Sequence, residues 1–298
     1  MAYPPKLKQL KYLCALAETL HFGKAADICH VSQSTLSAGI QELEELLAVA
    51  LVERTNKKVL LTRLGKEVVA RSVPILANIN DLVSLCESAG EALSGKIYLG
   101  IIPTIAPFIL PAFVAQLEQQ YPRCQLIVRE DLSGHLIKSL QAGELDLLLL
   151  ALPYPAAEVE TLHLFDDEFL LAITNTHPLA NNTTVSVDVL NDLDLLLLEE
   201  GHCLRQHALE ACQLKDQYTD NSYQAASLNT IVQLVANDIG VTLLPRMALR
   251  TPLEANIITR SFTEPNISRS IGLMWRKQSS RRAEFKLLAS IIKLYQNP

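Results

Sequence analysis

The residues with the most chemistry in this chain are Gly201-His202-Cys203-Leu204-Arg205, with a second thiol at Cys212. The apolar run Leu195 to Leu198 reads as a buried strand, Gly201 as a tight turn, and Leu204 to Ala211 carries good helix formers. Cys203 then falls in the first turn of a helix, where unpaired N–H groups and the helix dipole favour an anion. Arg205 and His202 can add positive charge, and all three influences favour thiolate over thiol, the condition for a reactive cysteine. On one continuous helix Cys212 stands about 13 Å further along and on roughly the opposite face, whereas a disulfide needs Cα atoms within about 7 Å. The two thiols can bond only if the helix unravels, which is what a thiol-based two-state switch requires. The same residues also suit two ordinary buried cysteines, since free Cys is among the most buried residue types.

The rest of the chain must position those thiols. Its 298 residues predict two or three domains, and 49% hydrophobic residues suffice for their cores. Met1 to Lys6 lead into no apolar signal region, and no run reaches the ~18 apolar residues of a membrane span, so a cytoplasmic chain without a membrane partner is expected. Six cysteines (14, 29, 86, 124, 203 and 212) are too sparse for a disulfide scaffold, and no C-x-x-C pair suggests zinc. Cys203 and His207 stand one helical turn apart but supply only two ligands, so neither a metal nor another cofactor is expected. Charge is uneven: residues 1–66 hold seven Lys and two Arg against five Glu and one Asp, a balance of +3 within a chain of net −6. A basic head on an acidic body predicts that only the head meets the phosphates of double-stranded DNA.

The head reads as a helix-turn-helix. Leu7, Leu10, Leu13, Cys14, Ala17 and Leu20 repeat at helical spacing, and Gly23-Lys24-Ala25-Ala26-Asp27 opens a second short helix with two small residues for close packing. Ser32 is a natural N-cap for a third helix, on which Leu36, Ile40, Leu43 and Leu47 form the inward stripe. Gln33, Ser34, Thr35, Ser37 and Ala38 then face outward at its start, where hydrogen-bonding side chains suit base edges and phosphates in the major groove. Leu51 to Thr62 alternates around Asn56-Lys57 as a small hairpin wing, with Arg54, Lys57 and Lys58 as phosphate contacts. From Thr62 to about Ala92 a helical pattern returns, with Val69, Ser72, Leu76, Ile79, Val83 and Cys86 on a seam that wants a partner helix, and with Pro74 inside it as a kink or weak point.

Beyond residue 92, strand and helix patterns alternate in the order of a parallel, doubly wound α/β sheet: Lys96 to Ile102, Phe108 to Gln120, Gln125 to Arg129, Ser133 to Ala142, Asp146 to Leu152. A second such unit follows through Phe169 to Thr174, Asp194 to Leu198, Ser227 to Asn237 and Gly240 to Leu244, and Ser270 to Trp275 with the terminal helix returns to the first. Two lobes joined by two crossovers leave a cleft between strand ends, the usual ligand site of open α/β sheets. Pro103-Thr104, Ser133-Gly134-His135 and the Cys203 turn all follow strands and converge there; alone, either hydroxyl is as well explained as a turn or cap residue.

Phe22-Gly23-Lys24-Ala25-Ala26, Val31-Ser32-Gln33-Ser34-Thr35-Leu36-Ser37 and Leu43-Glu44 resemble the DNA-binding head of LysR-type transcriptional regulators, and Gly201 to Arg205 with Cys212 resembles the redox segment of their OxyR-like, peroxide-sensing branch. Ala48 departs from the head's pattern, which usually has glycine at that helix end, and Ser133 stands where that branch more often has threonine, a change of pocket shape. The resemblance implies a winged helix-turn-helix over 1–61, a dimerisation linker helix over 62–92, and a two-lobed, Rossmann-like effector domain of the type 2 periplasmic-binding fold over 93–298. Its first lobe is expected at about 93–165 and 268–298, its second at about 166–267. The resemblance further implies hydrogen peroxide as the signal, Cys203 as peroxidatic and Cys212 as resolving cysteine, and Thr104, Ser133, His202 and Arg205 around the peroxide. It implies an activator that works as a homodimer or homotetramer with RNA polymerase as a partner, and no enzymatic role. The alternatives are a LysR-type regulator answering a small organic co-inducer between the lobes, with incidental cysteines, and a thiol peroxidase, against which the DNA-binding head argues.

Overall fold

The computed structural model describes residues 4–54, 59–87, 92–213, 225–263 and 267–295, without the side chains at 54, 81 and 84–87. Three helices build the head: α1 (Leu7–Thr19), α2 (Phe22–Cys29) and α3 (Gln33–Leu47). Leu13, Leu16, Leu36, Ile40 and Leu43 are fully buried between them, and Ala25 and Ala26 let the helices close on one another. The expected stripes need two corrections. On α1, Leu7 and Leu20 are exposed, while Gln9, Tyr12, Ala15 and Leu16 join Leu10 and Leu13 inside, so the buried face is rotated from the one read off the leucines. On α3, Leu47 is exposed near the helix end, and Gly39 turns inward instead: a Cβ there would come within 2.7 Å of the Tyr12 ring.

The end of α3 sets up the wing. Ala48 caps the helix in the left-handed region at φ 54°, a conformation that crowds its Cβ. Glu44 Oε1 accepts from the Leu51 and Val52 N–H groups at 2.7 and 3.0 Å, starting β1 (Val52–Arg54), which pairs antiparallel with β2 (Val59–Leu61). The expected turn at Asn56-Lys57 lies outside the described residues. Thr62 N–H donates to the Leu51 carbonyl, and α4 (Arg63–Glu87) approaches that carbonyl so closely that a Cβ on Gly65 would sit 2.1 Å from it. Helix α4 runs through Pro74 and exposes Ile75, Leu82 and Val83, whereas Val68, Val69 and Leu76 pack on the head. It is described as far as Glu87, residues 88–91 lie outside the described residues, and Ala92, the expected helix end, stands in a turn.

In the effector unit, β3 (Gly95–Ile101) leads into α5 (Ala106–Gln120), β4 (Cys124–Glu130), α6 (Ser133–Gln141) and β5 (Leu147–Leu152), with β3 parallel to both β4 and β5. The chain leaves by β6 (Val159–Thr174) to build β7 (Thr184–Val185), β8 (Leu195–Leu196), α7 (Cys203–Ala211), α8 (Leu228–Ala236), β9 (Val241–Pro245) and β10 (Ile257–Phe262). It comes back by β11 (Ser268–Arg276) and ends on α9 (Arg282–Ile292). Two apolar cores result, one around β3, β5, β11, α5 and α9, the other around β8, β9, α8 and the far half of β6.

The sheet is mixed, so the parallel order predicted from the pattern holds only for β4-β3-β5, β8-β9 and β7-β10. Strands that carry the chain out and back must oppose each other: β11 is antiparallel to β5 and to the first half of β6, and the second half of β6 is antiparallel to β9 and β10. Residues 159–168 thus belong to the same strand as the expected Phe169 to Thr174.

Where the two crossing strands meet, Arg269 is paired across the ladder with Asp167, Nε to Oδ2 at 3.0 Å, and both side chains are buried. Asp167 Oδ1 also accepts from the Met247 N–H at 3.0 Å, and Arg269 donates from Nη1 to Thr104 Oγ1 at 2.8 Å and from Nη2 to the Thr104 carbonyl at 2.9 Å. Removing one member of such a pair strands the other charge in the core. Arg269→Met is expected to cost about 3–5 kcal/mol in urea unfolding, with much of the loss restored in Arg269→Met combined with Asp167→Leu. A single-variant loss below about 1 kcal/mol would show that the pair does not hold the strands. In the head, Ala48→Gly relieves the left-handed cap and should raise stability by about 1 kcal/mol, read as a shift of the head's unfolding midpoint.

Candidate functional site

Helix α7 starts where the chain can turn sharply: Gly201 has φ +98°, open to glycine at little cost, and His202 is the extended N-cap residue before Cys203. Cys203 and Cys212 are both buried as free thiols, but in different surroundings. Cys203 packs into the core of the first lobe, whereas Leu204, Ala208 and Cys212 pack into that of the second. The helix between them is continuous to Ala211, so the thiols stand at its opposite ends.

Cys203, His202 and Gly201 share one recess with Ile102, Pro103 and Thr104 from the end of β3 and with Leu132 and Ser133 at the start of α6. Its walls leave no space the size of a water molecule. Thr104 and Ser133 are both buried there. A guanidinium can only donate, so Thr104 Oγ1 accepts from Arg269 and its own hydrogen points elsewhere. Ser133 Oγ has no hydrogen-bond partner among the described residues. The recess therefore brings two hydroxyls beside a thiol at a helix N-terminus, a set that can hold a small oxygen-bearing molecule against sulfur only once its walls part. On its outer side Cys203 borders a wider cavity of about 660 Å³ with Glu200, Arg205, Gln206 and Glu210.

The charges differ from those expected. Burial holds the His202 imidazole below its ordinary value, against an opposing pull from Glu199, so near neutral pH it carries no charge to give the thiolate. Arg205 is buried, and its Nη1 donates to the Leu198 carbonyl at 3.4 Å, tying α7 to the strand before it. The cation that sequence reasoning missed is Arg269, together with its partner Asp167. A signal existed: Arg269 shares strand parity with Ile267 and Ile271, and Asp167 with Phe165 and Phe169, so both fall on buried faces. His207 was also missed as a buried group; burial and, after it, the Arg269 charge hold it below its ordinary value.

In the head, Ser32 Oγ accepts from the Thr35 N–H at 3.1 Å and lies 2.9 Å from the Ser34 hydroxyl, so it caps α3 and orders its first turn. Gln33, Ser34, Thr35 and Ala38 are exposed on that turn and Ser37 is half-buried. Of the wing cations, Lys57, Lys58 and the Arg54 side chain lie outside the described residues.

A further cavity of about 560 Å³ lies between the lobes, lined by Thr104, Phe108 and Glu130 on one side and by Ser227, Asn229 and Glu254 on the other. Among the described residues no helix is long and apolar enough to cross a membrane.

Residues 7–66 match the bacterial regulatory helix-turn-helix protein family of lysR type, and residues 90–294 match the LysR substrate binding domain. The chain is 42% identical over 299 residues, 98% of each chain, to the HTH-type transcriptional regulator EstR of Acinetobacter baylyi. It is 38% identical to the DNA-binding transcriptional dual regulator OxyR of Escherichia coli, over 96% of this chain and 94% of that one. Among solved structures, a full-length OxyR variant from Pseudomonas aeruginosa is similar at 35% identity and a TM-score of 0.77, covering 98% of both chains. A hydrogen-peroxide-bound OxyR mutant from Corynebacterium glutamicum is similar at 33% identity and a TM-score of 0.68, covering 99% of this chain and 94% of that one. With both domains matched and full-length relatives well above 30% identity, the chain belongs to the LysR family of DNA-binding transcriptional regulators.

Proposed function

We propose that this regulator senses hydrogen peroxide through Cys203 and Cys212. The observation that carries the reading is the recess that joins Cys203, at the N-terminus of α7, to the hydroxyls of Thr104 and Ser133. The Cys203 thiolate attacks one peroxide oxygen, the O–O bond breaks, sulfur becomes a sulfenic acid, and the departing hydroxide takes a proton and leaves as water. The Cys212 thiol then attacks the sulfenic sulfur and a second water is lost as the disulfide forms. About 13 Å of helix separates the thiols, so α7 must unwind and each cysteine must leave its own core. Contacts between lobes and subunits then shift, and the head reads the change through its linker helix. In this reading residues 1–61 bind DNA, 62–92 pair two subunits, and 93–298 sense, the dimer pairing further into a tetramer that engages RNA polymerase. The similarity to peroxide-inducible activators supports it.

A second reading has support of its own. The cavity of about 560 Å³ between the lobes fits a small organic co-inducer, and the 42% identical relative EstR is not named for peroxide. In that case the cysteines are incidental.

Thiol mass spectrometry after stoichiometric peroxide separates the two. Cys203→Ser should abolish the response, whereas Cys212→Ser should stop at a sulfenic or more oxidised Cys203. Wild-type oxidation should raise amide exchange between Leu204 and Gln213 with little change in the head, and reduction should reverse it. Oxidation of Cys203 no faster than that of Cys124 sinks the peroxide reading in favour of the co-inducer. For the DNA contacts, Gln33→Ala should lose roughly 1–3 kcal/mol of sequence-specific binding. Lys57→Ala should weaken all binding and lower the salt slope by about one; equal losses across all sequences from both substitutions would remove Gln33 from the groove.

A further inference from the structure

The turn into α2 holds a histidine that the groove and wing contacts named so far do not use. Leu20 ends α1 in the left-handed region at φ 49°, and His21 follows it in extended form as the N-cap residue of α2. The backbone of His21 is held on both sides: its N–H donates to Thr19 Oγ1 at 3.4 Å, and its carbonyl accepts from the Ala25 N–H at 2.9 Å. The ring is held as well, since Nδ1 accepts from the Lys24 N–H at 3.2 Å. A backbone N–H can only donate, so the ring that makes this bond is neutral and carries its proton on Nε2. Capping alone does not call for this residue. Serine, threonine, aspartate and asparagine are the favoured caps, and none of them reaches past the helix end as an imidazole does.

The place of the second nitrogen gives it a use. His21 is exposed, and among the described residues the Lys24 N–H is the one hydrogen-bond partner of its ring, which leaves Nε2–H to solvent. Across Gly23 stands the first residue of α3, also exposed: a Cβ on Gly23 would lie 3.1 Å from His21 Cε1 and 3.7 Å from Gln33 Oε1, so the ring and the Gln33 carboxamide flank one glycine. Cε1 is the ring atom bonded to Nε2, so the free donor is one bond from this shared spot. In a helix-turn-helix the first helix of the motif, here α2, crosses the phosphate backbone while the second enters the groove.

We propose that His21 binds a DNA backbone phosphate: Nδ1 caps α2, and Nε2–H, fixed by that cap, donates to a phosphate oxygen beside the base pairs that Gln33 faces. The proposal rests on the reading that residues 1–61 bind DNA with the start of α3 in the groove. It makes His21 a neutral contact that sets where α3 enters the groove and carries no sequence information of its own.

The test measures fluorescence anisotropy with full-length protein on two labelled duplexes, one selected by the wild type from a random pool and one of unselected sequence, over a series of salt concentrations. His21→Asn keeps a cap for the Lys24 N–H but has no donor at the Nε2 position. It should unfold with the wild type and lose roughly five- to thirtyfold in affinity, on both duplexes alike. The slope of its affinity against salt should be unchanged, because a neutral donor displaces no counterion. His21→Gln places an amide near the Nε2 position and gives up the cap, so it should lower the head's unfolding midpoint yet keep affinity within about threefold of wild type well below that midpoint. Wild-type affinity in His21→Asn overturns the phosphate contact, and so do equal losses in both variants, which would leave the cap as the whole effect. A slope lowered by about one in His21→Asn overturns the neutral donor, since that is the loss of a cation. If Gln33→Ala still loses binding to the selected duplex, a failure of His21 leaves the DNA reading of the head standing; if neither substitution alters binding, both fall.

Discussion

The buried pair of Arg269 and Asp167 is the interaction on which the sensing unit's geometry depends. It sits on the two strands that carry the chain between lobes, faces a backbone N–H at Met247, and holds Thr104 by both hydroxyl and carbonyl. Relative to a well-packed apolar pair such a bridge adds little net stability, because desolvating two charges consumes most of their attraction. Its effect is on alignment. A slip of β11 along β6 by one residue would turn both charges out of register and leave each without its partner, an expensive state in the core. The strand register thereby sets where Thr104 stands, and Thr104 is one wall of the recess that holds Cys203.

Helix α7 depends on both lobes at once. Its first residue is packed by one core and the residue capping its end by the other, so no single domain owns it. Chemistry at sulfur is thus coupled directly to packing: a bond between the two thiols cannot form while both cores keep their cysteines. The neutral His202 fits this arrangement, since a charged imidazole at that buried N-cap would need solvent or a close anion to sustain it.

Much of this was legible from the residues, and the failures have physical causes. Strand ends in an open α/β sheet point to one crevice, which is why Thr104, Ser133 and the turn before Cys203 could be brought together without coordinates. The burial of α3 followed Leu36, Ile40 and Leu43 for about two turns before Leu47 left the pattern, whereas α1 presents leucines on several faces, and contact of its Tyr12 with Gly39 of α3 decides which face is inside. The first half of β6 hides behind Glu160, His163, Asp166 and Glu168, which read as a polar connection until the antiparallel β11 supplies the pairing. Strand β10 likewise has Thr259, Arg260 and Ser261 at its centre and lacks an apolar run. Asp167 was readable by parity as an inward carboxylate, but its partner lies 102 residues away in the chain, and no local pattern joins them.

Ala48, Gly65 and the wing belong to a head whose fold is settled by its own contacts, but α7 is different in kind. It has nine residues, fewer than the roughly 12–15 that a helix needs to persist by itself in water. Once its end anchors are exchanged for a covalent link, nothing intrinsic to the segment favours the wound form, and peptide helices of ~20 residues relax in about 0.1–1 μs. The winding step by itself is therefore fast once the packed ends of the segment have been freed. In the proposed peroxide reading, the duration of a signal held in this segment is then set by how readily the two cores release their cysteines and by how fast the bond between the thiols is made and reduced.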